Sequence, residues 1–244
     1  MAAPLVLLTL FLLDLCWCCS SSVHVTSVFQ WDVMDFNWPS EEKRTKAVLD
    51  KSFKPESISP RYAAVFGNRL FLSLSKENGG NPVSLAWLPT RSTSASEPPK
   101  LNPFPYWRMH EGPNRSDTIM RATGLEVDRL GRLLWVLDVS YQNSKSKLWI
   151  FNLKENDAIH LVHQFGDIFG LNDLVLDETP DDWLAYITYY LSDNLIAFSL
   201  KTNQSWLVET QGQRFVAIAI SPKNEQIYLS NHGSKELYSI GSGS

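Results

Sequence analysis

The chain has 244 residues, of which 44% are hydrophobic and 20% are charged, with 22 basic and 26 acidic side chains. This amount of apolar material supports a sizeable core and excludes a disordered chain. The net charge of -4 and the lack of a run of Lys and Arg argue against nucleic acid as a partner, because phosphates require clustered basic side chains.

The first residues have the pattern of a secretory leader. A nearly apolar run, Leu5–Leu13, is followed by Asp14 and then by a stretch of small residues that ends at Ser22. The run is too short to span a bilayer as a helix, which takes about 20 residues. We therefore predict a signal peptide over residues 1–22, a mature domain over 23–244, secretion, and no stable membrane insertion after cleavage. An uncleaved membrane anchor is the alternative, because no basic residue precedes the apolar run.

All three cysteines, Cys16, Cys18 and Cys19, lie in this leader. The mature chain therefore has no cysteine and depends on packing and hydrogen bonds. Two sequons begin at Asn114 and Asn203 in polar stretches of the sequence. We predict N-linked glycosylation at both asparagines, which agrees with export.

The rest of the chain has the pattern of β-structure. No window keeps a 3.6-residue apolar period over three turns, whereas short apolar runs separated by turn residues recur throughout. An apolar strand, a polar turn and a second strand rich in β-branched and aromatic residues recur in four segments: Arg61–Leu74, Thr123–Leu137, Asn172–Tyr190 and Phe215–Asn231. Their spacing of about 40 to 60 residues is typical of propeller blades with loop insertions. Further predicted strands at Lys147–Leu153 and Leu195–Leu200 would help to complete the blades.

Turn residues support this interpretation in the second segment. Asp128 is placed to accept hydrogen bonds from turn amides, and Gly131 can adopt the positive φ that a tight hairpin requires. The stretch Arg91–Trp107 lies between the first and second segments and is rich in Ser and Pro. We expect it to connect two blades without regular structure.

Five pieces of the sequence stand in a specific order: QWDVMDFNWPS at Gln30–Ser40, LNPFPYW at Leu101–Trp107, VDRLGRLLWVLD at Val127–Asp138, KLWIFNL at Lys147–Leu153 and NQSWLV at Asn203–Val208. Together they resemble the yellow and major royal jelly protein family of secreted arthropod proteins. The resemblance implies an all-β fold, a six-bladed β-propeller that is secreted and often glycosylated.

Three features depart from the family's pattern. The family usually carries a cysteine at each of the two positions that hold Ser116 and Leu130 in this chain. Leu134 looks inserted, because the family reads Arg-Leu-Trp where this chain reads Arg-Leu-Leu-Trp. A one-residue insertion reverses the side chains that follow it in a strand, so we predict a bulge there. The sequence also offers four blade-like segments where the family has six blades. We expect a C-terminally truncated product, with a closed ring of four or five blades as the alternative.

No catalytic or metal-binding motif stands out. His160 and His163 are expected on opposite faces of a strand, and no HExxH motif, zinc pattern, phosphate loop or Gly-x-Ser-x-Gly elbow is present. We therefore assign no catalytic residue, metal or cofactor. Arg61, Asn172 and Asp173 are the candidates for ligand binding, because propeller ligands commonly bind where inner strands begin. Capping of a turn is the alternative role for Asn172 and Asp173.

The resemblance implies three candidate functions. The first is binding of a small aromatic or biogenic-amine-like ligand in the central channel, as in salivary relatives from blood-feeding insects. An aromatic, partly acidic pocket suits such a ligand. The second is dopachrome conversion during melanin formation in the cuticle. The third is a structural or nutritive secreted glycoprotein, as with the royal jelly proteins.

Overall fold

The computed structural model describes residues 27–76, 79–91, 98–112, 117–139, 145–221 and 226–241. The chain divides into two compact units, Met1–Gln30 and Trp31–Ser244. The predicted leader with its cysteines, its boundary at residue 22, and Asn114 all lie outside the described residues. No helix among the residues that the structure describes is long and apolar enough to cross a membrane.

The described strands form four antiparallel sheets, three with four strands and one with three. The first two sheets contain β1 (Pro60–Phe66), β2 (Arg69–Leu74), β3 (Leu85–Pro89) and β4 (Asn102–Pro103), then β5 (Ala122–Val127), β6 (Leu133–Asp138), β7 (Lys147–Asn152) and β8 (Ala158–Gln164). The other two contain β9 (Leu171–Glu178), β10 (Trp183–Tyr189), β11 (Asn194–Ser199) and β12 (Gln204–Glu209), then β13 (Ala217–Ser221), β14 (Gln226–Ser230) and β15 (Tyr238–Gly241). Each predicted segment is confirmed as the first two strands of one sheet.

The sheets are the blades of a β-propeller. Within each sheet the strands pair in chain order, so every blade begins with its innermost strand. These first strands are neighbours, with β1 against β5, β5 against β9, and β9 against β13. The all-β propeller fold is therefore confirmed, with four blades in the described part of the chain.

Apolar residues on both faces of the strands hold the blades together. In β6, which is buried along its whole length, Trp135 and Leu137 pack with blade 3, whereas Leu134 and Val136 pack with blade 1. Trp135 is fully buried and meets the ring of Phe198 in blade 3 edge to face. The blades thus stack as layers that share continuous apolar cores.

The bulge predicted at Leu134 is wrong. β6 pairs with β7 in an unbroken register over its full length. The irregularity lies instead in β5, between Ala122 and Leu125. Because both faces of β6 meet apolar neighbours, an inserted residue places no side chain in an unsuitable environment, and β6 needs no bulge.

The tight turn predicted in blade 2 is confirmed. The backbone N–H of Arg132 donates to Asp128 Oδ1 at 2.6 Å, and the N–H of Gly131 donates to the Asp128 carbonyl at 2.8 Å. Gly131 has a φ of 58°, in the left-handed region that favours glycine. The turn therefore follows from its sequence.

Four short elements of the described residues were not predicted from the sequence. Helix α1 (Glu41–Leu49) begins after Ser40, whose side chain accepts a hydrogen bond from the N–H of Lys43, and only Ala47 in it is buried. The connection expected to be irregular contains the short strand β4 and ends in a 3₁₀ turn that starts at Trp107. A second 3₁₀ turn covers Pro55–Ser57.

An ion pair joins blades 1 and 2. The Arg69 guanidinium, at the start of β2, donates to both carboxylate oxygens of Asp157 at 2.7 and 2.9 Å. Asp157 lies in the turn between β7 and β8, and the two side chains are only 17% and 22% exposed. The guanidinium carbon also lies 5.0 Å from the centre of the Phe71 ring. Removal of one partner would leave the other charge mostly buried and unpaired.

The variant Arg69→Ala should therefore lower the free energy of unfolding by about 2–4 kcal/mol. Lys43→Ala is the matched control, because Lys43 and Glu111 form an exposed pair at 3.5 Å. Loss of such a surface pair costs less than about 1 kcal/mol. Denaturant unfolding measures both variants, and equal losses would contradict the special role of the pair between the blades.

Candidate ligand-binding site

Three of the four inner strands begin with a bulge. In each case the inner strand carries one residue more than its partner, so two of its residues lie opposite one residue of the second strand. These pairs are Arg61 and Tyr62, Thr123 and Gly124, and Asn172 and Asp173. Bulges redirect side chains and are frequent next to binding sites. The three bulges therefore place the starts of β1, β5 and β9 in an irregular region at one end of the blades.

In blades 1 and 3 the second strand holds the bulge through a hydroxyl group. The N–H of Tyr62 donates to Ser73 Oγ at 3.1 Å, and the N–H of Asp173 donates to Thr188 Oγ1 at 3.0 Å. In blade 2, Asp138 Oδ1 accepts from two successive backbone N–H groups just before β5, at 2.9 and 2.7 Å. These oxygens replace hydrogen bonds that the sheet no longer provides to the irregular backbone.

Gly124 allows the bulges of blades 2 and 3 to approach closely. A Cβ atom at this position would lie 2.9 Å from Leu174 Cδ2, 3.0 Å from the Cα atom of Asp173 and 3.1 Å from the backbone nitrogen of Leu174. Two of these three atoms belong to the backbone and cannot rotate away. The absence of a side chain at Gly124 thus keeps the start of β9 against β5.

A cavity of about 490 Å³ lies between the inner strands, and we call it the inner-strand cavity. Its aromatic and charged lining comes from Tyr62, Glu126, Arg129, Asp173 and Trp183, and the remaining lining is apolar side chains of the inner strands. An adjoining cavity of about 460 Å³ extends toward the hairpin turns of blades 1 and 2. All four blades therefore contribute to one concave surface.

Two carboxyl groups on neighbouring strands face the inner-strand cavity. Burial, with a smaller contribution from the charge of Asp173, raises the pKa of Glu126 to about 7. Burial also raises the pKa of Asp173 to about 6, against the opposing effect of its hydrogen bond from the Leu174 N–H. Among the described residues neither carboxyl group forms an ion pair. The cavity therefore holds two acidic groups that form no ion pair among the described residues, and Arg129 supplies one positive charge to the same lining.

Tyr62 brings an aromatic ring and a hydroxyl group to this place. Burial and, to a smaller extent, the charge of Asp173 raise the pKa of the Tyr62 phenol. The charge of Arg61 and a hydrogen bond with the Asn172 side chain act in the opposite direction. The phenol is therefore neutral at physiological pH and available as a donor or acceptor.

The three predicted site residues have different surroundings. Asp173 lines the inner-strand cavity. Asn172 lies beside it and donates from its amide to the carbonyl of Val216 at 2.7 Å, which ties β9 to the segment before β13. Arg61 is exposed and does not belong to the cavity lining. Ligand contact by these residues stays a prediction.

The sequence analysis did not select Tyr62 or Glu126. Tyr62 and Asp173 are both the second residue of their bulges, whereas Arg61 is the first. The residue predicted in blade 1 is therefore the sequence neighbour of the one that lines the cavity. Glu126 did carry a signal, because it is the only charged residue in the sequence of β5. A lone carboxyl group in the inner strand of a propeller marks a candidate for the channel wall.

Asn203, the second predicted glycosylation site, lies in the exposed turn between β11 and β12 with a φ of 52°. Its side-chain oxygen lies 3.0 Å from His163 Nδ1, and the hydroxyl of Ser205 lies 2.9 Å from His163 Nε2. Glycosylation there stays a prediction. Within the described ranges no three metal-binding side chains come together.

Known proteins resemble this chain over most of its blades. The sequence profile of the family described as Major royal jelly protein matches residues 120–232, which include two of the bulges and Glu126. Dopaminechrome tautomerase from Drosophila melanogaster is 28% identical over 204 residues. Protein yellow from Drosophila guanche is 28% identical over 215 residues. The chain is therefore similar in sequence to the yellow and major royal jelly proteins.

The resemblance inferred from the yellow-type sequence motifs is thus confirmed. The alignments cover 77% and 82% of this chain but 43% and 38% of the two relatives, so the chain spans less than half of their length. Among solved structures, hydrazine synthase from Kuenenia stuttgartiensis aligns over 75% of this chain and 46% of its own, with a TM-score of 0.48 and 13% identity. This structural similarity is too weak to indicate a function.

The variant Gly124→Ala should lower the free energy of unfolding by about 1–3 kcal/mol, because the added methyl group overlaps the backbone of β9. Gly166→Ala is the matched control, since a Cβ atom there meets no atom within 4 Å and its φ is not in the left-handed region. Denaturant unfolding should show a change within about 0.5 kcal/mol for the control. A Gly124→Ala variant as stable as the control would contradict the close approach of the two bulges.

Proposed function

We propose that this chain is a secreted protein that binds small aromatic cations, of the biogenic-amine class, in the inner-strand cavity. The observation that carries the proposal is the pair of carboxyl groups, Glu126 and Asp173, that face one cavity without an ion pair among the described residues. Buried carboxylates are normally paired with a cation. A cationic ligand would supply the missing partner.

The size and lining of the cavity agree with a small aromatic ligand. Its volume of about 490 Å³ lies in the range of roughly 300–1,000 Å³ that is typical of small-molecule sites. Tyr62 and Trp183 contribute rings to the lining, and such rings attract organic cations. The apolar side chains of the inner strands would contact the ring of the ligand.

Charge narrows the class of ligand further. Arg129 also lines the cavity, so the excess is one negative charge when Glu126 and Asp173 are both ionised. A ligand with one positive charge balances this excess, whereas an anion or a dication leaves a net charge in a partly dry site. The proposal therefore favours monoamines over polyamines.

Calorimetry with serotonin, dopamine and histamine tests the proposal on protein recovered from the culture medium of insect cells. We expect binding of at least one amine, weakened about tenfold or more by Glu126→Gln or Asp173→Asn, because each removes a charge that faces the ligand. Glu178→Gln is the matched control, since Glu178 ends β9 at an exposed position outside the cavity lining.

Three results would contradict the proposal in different ways. Failure to detect heat with any of the three amines would contradict ligand binding and favour a structural or nutritive role. Absence of the chain from the medium would contradict secretion. Equal weakening by Glu178→Gln and Glu126→Gln would mean that the loss does not come from the cavity.

Dopachrome conversion is the second candidate function, and the same two carboxyl groups favour it. A tautomerase moves a proton from one position of its substrate to another, which requires a base and an acid. Groups whose pKa lies near neutrality, such as Glu126 at about 7 and Asp173 at about 6, suit this task. One relative is named dopaminechrome tautomerase, at 28% identity.

Loss of dopachrome absorbance with the purified protein tests this activity. We expect a rate above the uncatalysed one that falls about a hundredfold in Glu126→Gln, because general acid–base groups contribute at least that much. Glu178→Gln should keep the full rate. A rate equal to that of the buffer alone would exclude the enzyme.

A further inference from the structure

Glu126 lies among a defined set of charged and titratable groups. The elements packed around it carry Arg61 and Tyr62 on β1, Arg69 on β2, Asp138 on β6, Asp173, Asp177 and Glu178 on β9, and Asp128 and Arg129 in the turn that follows β5. The sequence of β13 contains no such group. Apart from burial, only the charge of Asp173 shifts the pKa of Glu126, and it acts in the same direction.

Two of the charged groups on the elements around Glu126 are bound to other partners. Arg69 holds Asp157 in the ion pair between blades 1 and 2. Asp138 accepts hydrogen bonds from backbone N–H groups and from the indole of Trp149 at 3.0 Å. Arg129 lines the inner-strand cavity together with Glu126, but it is not among the groups that shift the pKa of Glu126.

We infer that a cationic ligand entering the inner-strand cavity displaces a proton from Glu126. The inference rests on the proposed function. In the free protein the Glu126 carboxyl group keeps its O–H bond in part of the molecules. When an ammonium group arrives, that bond breaks, the electron pair stays on the carboxylate, and the proton passes to water or buffer. The ligand keeps its own proton, so one positive charge replaces another.

The two carboxyl groups have different parts in this exchange. Asp173, with a pKa of about 6 and a hydrogen bond from the Leu174 N–H, is mostly ionised at neutral pH and supplies a constant negative charge. Glu126, with a pKa of about 7, is partly protonated at neutral pH and is the group that responds. Because protons and ligand compete, affinity should rise as the pH rises through 7 and fall as it drops toward 5.

Titration calorimetry with serotonin in two buffers of different ionisation enthalpy, such as phosphate and Tris, counts the released protons. At pH 7 we expect release of a fraction of a proton per bound serotonin, and a smaller release at pH 8.5, where Glu126 is largely ionised. Glu126→Gln should bind, if more weakly, without proton release. Glu178→Gln should release as many protons as the unmodified protein.

A second measurement needs neither a ligand nor a binding-competent variant. Carboxyl ¹³C resonances of the unmodified free protein should include one that titrates near pH 7, and Glu126→Gln should lack it. If every carboxyl resonance titrates below pH 5, the exchange is overturned.

The outcomes of the calorimetry separate the exchange from the proposed function. Serotonin binding with the same heat in both buffers at pH 7 overturns the exchange and leaves the proposed function standing. No heat with serotonin, dopamine or histamine in any buffer overturns the proposed function and the exchange with it. Proton release that persists in Glu126→Gln overturns the assignment to this residue.

Discussion

The candidate site depends on backbone N–H groups at the start of the inner strands that bond to side chains and not to the backbone of the neighbouring strand. A buried N–H without a partner costs about 1–3 kcal/mol, so a bulge persists only where another acceptor is present. The hydroxyl groups of Ser73 and Thr188 accept from Tyr62 and Asp173 respectively. Because these bonds fix the second residue of each bulge, they also fix where its side chain begins. The shape of the inner-strand cavity follows from them.

Packing between the blades stabilises the fold away from the bulges, which explains why the starts of the inner strands can carry polar residues. The blades adhere through strands with two apolar faces, such as β6, and through Arg69 and Asp157 at the opposite end of the inner hairpins. Stability therefore does not depend on apolar contacts at the bulges. Gly124 is itself unfavourable for stability, because a glycine within a strand lowers the free energy of unfolding by about 0.5–1 kcal/mol relative to alanine. It is accommodated because it allows β5 and β9 to meet closely.

Local features of the fold were predictable from the sequence, and features set by pairing were not. The four strand pairs and the turn at Asp128 follow from alternation and turn chemistry, which act over a few residues. Helix α1 buries one residue and depends on the cap of Ser40, so it shows no apolar period. Asp173 was selected as a polar residue at a strand start. Tyr62 was not, because only the register of the bulge distinguishes it from Arg61.

The proposed cationic ligand would explain why the cavity contains two carboxyl groups. Structural carboxylates in this protein have partners, as Asp157 has Arg69 and as Asp35 has Arg44 at 2.9 Å. Glu126 loses hydration on folding, which raises its pKa, and it forms no ion pair among the described residues. An apolar residue or a glutamine would fill the same place in β5 at less cost. Retaining the acid makes physical sense where its counter-charge arrives from outside, as it does at a binding site.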